Sequence, residues 1–342
     1  MTTRVGLVGA GGIAVAHAAA WEELGAEISI YSEAGAAGLA SRHGAAVAAS
    51  FDELLDRSDV VGVLTPTPSH HAYALQALEA GKHVVCEKPL ARTPEQAAEL
   101  VRTAGLSSGR LYPAHVVRYF PEYAAMRYAV AEGRIGRPAV LRFMRSGVFP
   151  SWSPWFAEEE QSGGIVMDQM IHDLDVARWV AGEVVGVYAT RTPARDDGRQ
   201  SAHVTLTHSS GAVSLVTGVW GPPHLTFRTG FHVSGDGGTL RYDSADAHGV
   251  RLDLGPATPG GEPRPAAAGG ESPYLAELRE FANAFDGGPA PRVSAVDGAL
   301  AVELACAALT SIATGEVVAV DTAARAAELT TATVAATAGR NA

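Results

Sequence analysis

The stretch RVGLVGAGGIAVAHAAAW, residues 4–21, restricts this chain more than any other. Arg4 to Val8 has the makeup of a short buried strand, Gly9 to Gly12 of a turn, and Ile13 to Leu24 of a helix; a second strand, Glu27 to Tyr31, follows. The turn fits G-x-G-x-x-[GA] at Gly9, Gly11 and Ala14. Gly9 allows the tight turn, Gly11 lets backbone approach a pyrophosphate, and Ala14 holds the helix close to the sheet. The helix start, with Gly12 and Ile13, offers unpaired N–H groups and partial positive charge to phosphate. A tight strand–helix turn without a ligand uses glycines too, but placement directly after the first strand favours a dinucleotide.

Such a fold usually ends its second strand on an acid that holds the adenosine ribose. Here Ser32 occupies that place and Glu33 follows, with no arginine nearby before Arg42. Ser32 leaves room for a 2′-phosphate and Glu33 opposes one, so NAD and NADP both stay open. The alternation continues with a strand at Val60 to Leu64, the loop TPTPSHH carrying Thr65, Pro66 and His70, and a helix from about Ala72 to Ala80. A short strand, Val84 to Cys86, then delivers Glu87, Lys88 and Pro89 to the crevice at the strand ends, where α/β ligands bind. Lys88 is expected near the nicotinamide; the bland alternative is a surface lysine at a strand end.

Composition closes off several classes. The 342 residues carry a formal charge of −11 with no cluster of basic residues, which argues against nucleic acid. The two cysteines, Cys86 and Cys306, are too few for a disulfide framework or thiolate metal site and suit a reducing cytoplasm. Glycines interrupt the apolar N-terminus, and no uninterrupted apolar run reaches the ~18 residues of a membrane span, so neither a leader nor a membrane partner is expected.

Beyond His115 the pattern changes to strand-like runs at Val140–Val148, Val184–Thr192, His203–His208, Ala212–Trp220, Leu225–Ser234 and Thr239–Asp243, implying an open, mostly antiparallel sheet. The fold class is therefore an α/β N-terminal Rossmann domain plus an α+β C-terminal domain. We expect the first over residues 1–117, the second over 118–325, and a loosely attached tail over 326–342. Residues 255–273 read as a proline- and glycine-rich loop before a helix at Tyr274 to Phe285.

Between two of those strands lies GGIVMDQMIHDLD, residues 163–175. In one continuous helix, Asp168, His172 and Asp175 share a face. A polar surface stripe or a satisfied core histidine is one reading. A metal site is another, weakened by the lack of a second histidine, and no metal is assigned. The third is acid–base chemistry: oxidising an alcohol needs a group to take the hydroxyl proton, which suits His172, while Asp168 or Asp175 orients the ring and Lys88 steadies developing negative charge.

Taken together, GAGGIA at 9–14, TPTPSHH at 65–71, AGKHVVCEKPLA at 80–91 and SGGIVMDQMIHDLDVARWVAG at 162–182 resemble the Gfo/Idh/MocA oxidoreductase family. The resemblance implies NAD(P) as cofactor and a carbohydrate-like substrate, a secondary alcohol or ketone of a sugar or polyol. It places the catalytic roles on Lys88, Asp168 and His172, and substrate hydroxyls on Asp175. It also implies a sheet with one face toward the cofactor and the other supporting a homodimer or homotetramer. Met170 departs from the glycine common at that position, which we expect to reshape the pocket. Arg118, beside His115, is a candidate for an anionic substrate group, and Trp155, near Trp152, for stacking on a sugar; each has a structural alternative. A redox-neutral glycoside hydrolase and a non-catalytic dinucleotide sensor are the competing functions.

Overall fold

A computed structural model describes residues 2–192, 198–246, 249–254 and 271–338. The chain divides into two units. One holds the residues up to Tyr119, Glu271–Val302, and the chain from Ala326 onward; the other holds the chain from Phe120 to the start of that return, with Glu303–Arg325.

The first unit opens with β1 (Arg4–Val8), α1 (Gly12–Glu23), β2 (Glu27–Tyr31), α2 (Ala36–His43), β3 (Ala46–Val47), α3 (Phe51–Arg57), β4 (Val60–Val63), α4 (His70–Glu79), β5 (His83–Glu87), α5 (Pro94–Leu106) and β6 (Leu111–Ala114). All its strand pairs are parallel, in the order β3-β2-β1-β4-β5-β6. Near-continuous apolar strands such as VVGV of β4, buried throughout, are what a parallel sheet covered on both faces requires. The order reverses between β1 and β4, so the loops after these strands flank the switch-point crevice.

The second unit begins with α6 (Pro121–Ala131) and β7 (Pro138–Val148). A short α7 (Glu159–Ser162) leads through a π-helical turn, Val166–Met170, into α8 (Ile171–Ala181). Then come β8 (Val184–Arg191), β9 (Gln200–His208), β10 (Val213–Gly221), β11 (Arg228–Gly235), β12 (Gly238–Asp243) and β13 (Arg251–Leu254). The sheet order is β13-β12-β11-β7-β10-β9-β8-β14, where β14 is Val318–Ala319; only β7 and β10 pair in parallel. The expected class, a parallel nucleotide-binding sheet followed by a mostly antiparallel one, is the observed one. β13 and the two-residue β14 had no counterpart in the sequence reading.

After residue 270 the chain returns to the first unit with α9 (Pro273–Phe285), which packs on α1. Its Phe281 and Phe285 stack on Tyr112 of β6 at ring distances of 5.2 Å. The chain passes from the first unit to the second at Tyr119–Phe120, returns to the first over Glu271–Val302 and re-enters the second over Glu303–Arg325. α10 (Ala295–Thr314) is shared between the units, and among the described residues it is the one helix long and apolar enough to cross a membrane. More than half of its apolar window is buried inside the fold, Leu300, Val302, Leu304 and Ala308 completely, as in a core helix. Over the range expected as a tail runs α11, Thr322–Ala338, which buries Leu329. Its alanine-rich sequence favours helix, and one buried leucine anchors it. Most of the 255–273 loop lies outside the described residues.

Candidate active site

The glycine turn holds two kinds of glycine, one required by the protein and two open to a ligand. Gly9 has φ +107°, and a β carbon there would lie 2.7 Å from the Leu64 carbonyl oxygen, so the protein itself requires glycine. At Gly11 and Gly12 an added β carbon would meet nothing within 4 Å. Packing does not explain glycine at these two positions, whereas a ligand brought against the backbone does. Gly11 caps α1 with no side-chain hydrogen bond; the N–H of the fully buried Ala14 donates to the Gly11 carbonyl at 3.1 Å, and the N–H groups of Gly12 and Ile13 at the helix start are the ones suited to an acceptor. The residues present therefore fit a dinucleotide diphosphate. Ser32, half-buried, and Glu33, exposed, close β2.

The loop after β4 is pinned from below. Ser69 Oγ donates to Thr65 Oγ1 at 2.7 Å and to the Pro66 carbonyl at 2.9 Å. His70 is buried with Nε2 2.7 Å from the Thr65 carbonyl and Nδ1 2.7 Å from the Pro89 carbonyl, so one ring spans this loop and the turn after β5. Burial pulls this imidazole below its ordinary value, against the two carbonyls and Glu87. His71, beside it, points outward to Glu99.

Glu87 ends β5 as a buried carboxylate. His17 of α1 places Nε2 3.0 Å from Glu87 Oε1, and the Lys88 backbone N–H donates to Oε2 at 3.1 Å. Burial would raise the Glu87 pKa, but His17 and Lys88 outweigh it and hold it below the usual carboxylate value. Lys88 is half-buried and joins Pro89 through a cis peptide bond. Cys86 is fully buried, and burial pushes its thiol well up, as expected of an inert packing residue. Sequence reasoning missed His17; its signal was a histidine on the otherwise apolar face of α1.

In the second unit, every residue from Ser162 to Ala177 is buried except Asp168 and His172, each half-buried. The expected uniform α-helix is interrupted, because Asp168 lies in the π turn Val166–Met170 and His172 in the first turn of α8. π turns recur at functional sites because the wider turn re-aims side chains. Asp175 is buried, with 2% exposure. Asp173, which sequence reasoning passed over, is fully buried and takes a bidentate pair from Arg145 of β7, Nε to Oδ2 at 3.0 Å and Nη2 to Oδ1 at 2.9 Å. Gln169 Nε2 donates to the Arg145 carbonyl at 2.8 Å, so sheet and helix are joined at both ends of one residue. Met170 is fully buried against Gly218 of β10, where a β carbon would lie 2.5 Å from its Cγ. A glycine in the sheet thus absorbs the side chain expected to reshape the pocket.

Trp155 is half-buried and stacks on Phe156 with centroids 4.1 Å apart, while Trp152, 76% exposed, meets Phe156 edge-on. Arg118 is buried in the first unit, its Nη1 donating to the Arg292 carbonyl at 2.7 Å and its Nη2 3.4 Å from Asp297. Among the described residues no group of three or more His, Cys, Asp or Glu side chains is placed to hold a metal.

A switch-point crevice with a glycine cradle, in a chain that also carries a helix presenting one carboxylate and one imidazole, defines a nicotinamide-dependent oxidoreductase. Two family models match: the oxidoreductase family with an NAD-binding Rossmann fold over residues 3–115, and the GFO/IDH/MocA C-terminal domain over 123–241. The chain is 30% identical over 290 residues to a 1,5-anhydro-D-fructose reductase of Ensifer adhaerens, covering 80% of this chain and 84% of that protein. It is 27% identical over 345 residues to inositol 2-dehydrogenase 2 of Saccharopolyspora erythraea, covering 92% and 94%. The structure of levoglucosan dehydrogenase in complex with NADH superposes with a TM-score of 0.78 at 25% identity, covering 94% of this chain and 99% of that one. The chain belongs to the Gfo/Idh/MocA oxidoreductase family.

Proposed function

We propose that this enzyme moves a hydride between NAD(P) and a secondary alcohol or ketone of a sugar, polyol or sugar derivative, with Lys88, Asp168 and His172 handling the proton. The observation that carries the reading is the isolation of Asp168 and His172 as the two accessible side chains on sixteen residues of otherwise buried chain. Burying every neighbour and exposing one acid and one imidazole is costly to maintain for structure alone, and it suits proton transfer. The substrates named for the relatives, an anhydrosugar ketone and a cyclitol, support the substrate class.

Gly9, Gly11, Gly12, Ile13 and Ala14 would hold the diphosphate, Ser32 and Glu33 would meet the adenosine ribose, and Thr65, Pro66, His70 and Glu87 would shape the crevice. Bound there, the nicotinamide supplies the hydride acceptor or donor. In the oxidation direction His172 takes the hydroxyl proton as hydride leaves carbon, Asp168 orients the imidazole, and the Lys88 ammonium stabilises charge developing on the oxygen. Asp175 and Trp155 are assigned to the substrate. Arg118, whose guanidinium is engaged inside its own unit, is assigned a structural role in place of the anion contact first considered.

The test is a panel of sugars and inositols followed by nicotinamide absorbance. His172→Asn and Lys88→Ala should each lower kcat/KM by roughly 10²–10⁴-fold, the usual worth of a general acid or base. The wild-type rate of oxidation should rise with pH through the ionisation of the base and then level off, and His172→Asn should lose that limb. Variants with wild-type rates and pH profiles would remove the assignment.

The open sheet face is the proposed contact between copies of the chain. Strand register lines Tyr188, Thr205, Leu215, Arg142, His232 and Arg241 into one lateral row across β8, β9, β10, β7, β11 and β12. A groove of about 470 Å³ runs along it. A face of mixed apolar and polar side chains this broad suits an isologous dimer. Leu215→Glu should shift the mass measured by light scattering toward the monomer, and an unchanged mass would exclude this face.

A further inference from the structure

Behind the Glu87–Lys88 turn lies a buried polar group that the reaction does not use. Glu277 of α9 is fully buried, and neither of its carboxyl oxygens has a hydrogen-bond partner among the described residues. On α1 facing α9, His17 Nδ1 and Trp21 Nε1 are also buried without one. A buried polar atom left unpaired is costly, so orphans gathered where two helices pack call for a common explanation. The neighbourhood is shared: the His17 ring lies 6.2 Å from Tyr274, one helical turn before Glu277, and Glu87 is the charge that acts most strongly on Glu277.

Burial and the donor and acceptor inventory together favour one arrangement. Opposite a Glu87 carboxylate, His17 Nε2 carries the hydrogen. In a neutral ring Nδ1 is then an acceptor, and the Trp21 indole is only a donor. A carboxylate at Glu277 would be a second fully buried negative charge near Glu87 with no donor on either oxygen, whereas a carboxylic acid is neutral, supplies one O–H and keeps one carbonyl oxygen. We propose that Glu277 is a neutral carboxylic acid that positions the Glu87–Lys88 turn, its O–H directed to His17 Nδ1 and its carbonyl oxygen to Trp21 Nε1, each through one buried water. With Nδ1 satisfied in this way His17 keeps its Nε2–H on Glu87, and Glu87 in turn anchors the Lys88 N–H. The charges around Glu277 agree: burial raises its pKa well above the usual value, Glu87 and Glu280 add to this, and Arg292 opposes it. Tyr274, pushed up to about 12 by burial and then by Glu87 and Glu277, adds no charge near neutrality. The consequence for turnover rests on the proposed role of Lys88; the hydrogen-bond chain itself does not.

Three variants and two spectroscopic readings on the full-length protein test this. The infrared difference between wild type and Glu277→Gln at neutral pH should show the carbonyl stretch of a protonated carboxylic acid. Nitrogen-15 spectra of labelled histidine, assigned with His17→Gln, should show His17 as the Nε2–H tautomer in wild type and in Glu277→Gln, whose amide keeps one donor and one acceptor. Glu277→Leu, with its fold checked by circular dichroism, should keep the Nε2–H tautomer that Glu87 imposes but lose about five- to tenfold in kcat/KM, the worth of one buried hydrogen bond, while Glu277→Gln recovers most of the rate. Absence of the carboxylic acid band, an Nδ1–H tautomer of His17 in wild type, or a wild-type rate in Glu277→Leu would overturn the proposal. If Glu277→Leu fails to fold, wild type and Glu277→Gln still decide it through the band. A chain with no turnover on any sugar would fail the functional reading and leave both spectroscopic readings in force.

Discussion

Single residues separate what the protein needs from what a ligand needs. Gly9→Ala brings a β carbon against the Leu64 carbonyl at a positive φ, so we expect a loss of about 1–3 kcal/mol in urea unfolding. Gly11→Ala meets no protein atom and should unfold as wild type does, yet weaken NADH binding by about tenfold or more in calorimetry. Unchanged NADH affinity in Gly11→Ala would mean that the cradle does not hold the diphosphate. Asp173→Ala leaves Arg145 buried without its bidentate partner and should cost about 3–5 kcal/mol, whereas replacing both residues with apolar ones should cost much less. Equal losses in the single and double variants would contradict the pairing. The glycine turn was legible, and Lys88, Asp168 and His172 could be singled out as candidates, because each belongs to a short local pattern with its own chemical logic. Arg145–Asp173, His17–Glu87 and Glu277 were not, because their partners are 28 or more residues distant and nothing local marks a buried charge as paired.

At the level of elements, periodicity carried most of the fold. Strand-period runs located β7 to β12 to within a few residues, and the strand–turn–helix alternation gave β1, α1, β2, β4 and β5. It failed where neighbours override local preference. The π turn at Val166–Met170 is invisible to a 3.6-residue pattern, since it inserts one step of phase into a helix whose residues are nearly all buried on every side. β14 is two residues long, so it carries no alternation to read and exists because Val318 and Ala319 pair with Val187 and Gly186. α11 was taken for a loose tail on composition alone. Its N-terminal residue Thr322 is buried, and Thr322 Oγ1 accepts from the Val184 N–H at 2.8 Å, which ties the helix start to β8.

For the whole molecule, the buried and paired carboxyls set opposite limits on stability. Glu87, Asp59, Asp236 and Asp243 are held below their ordinary values. Their contribution is complete above the unfolded values and is lost as pH falls through the folded ones. Glu277 is raised, so its contribution is complete below its unfolded value of 4.5 and is lost as pH rises through the folded one. Stability from urea unfolding should therefore fall at acid pH, and should also decline as pH rises above about 4.5, by on the order of 1 kcal/mol per pH unit while only the unfolded chain ionises at Glu277. Glu277→Gln should flatten this second limb and leave the first; an unchanged slope above pH 4.5 would assign that limb to other groups. The return of α9 to the first unit also has a consequence for synthesis. A ribosome moving at about 5–20 residues per second finishes Tyr119 roughly 8–30 seconds before Glu271. Through that interval the nascent nucleotide-binding sheet exposes His17, Trp21 and Tyr112 where α9 will later pack. The element made first is thus the last to be completed, and any truncation before residue 285 releases a chain whose cofactor half has never been closed.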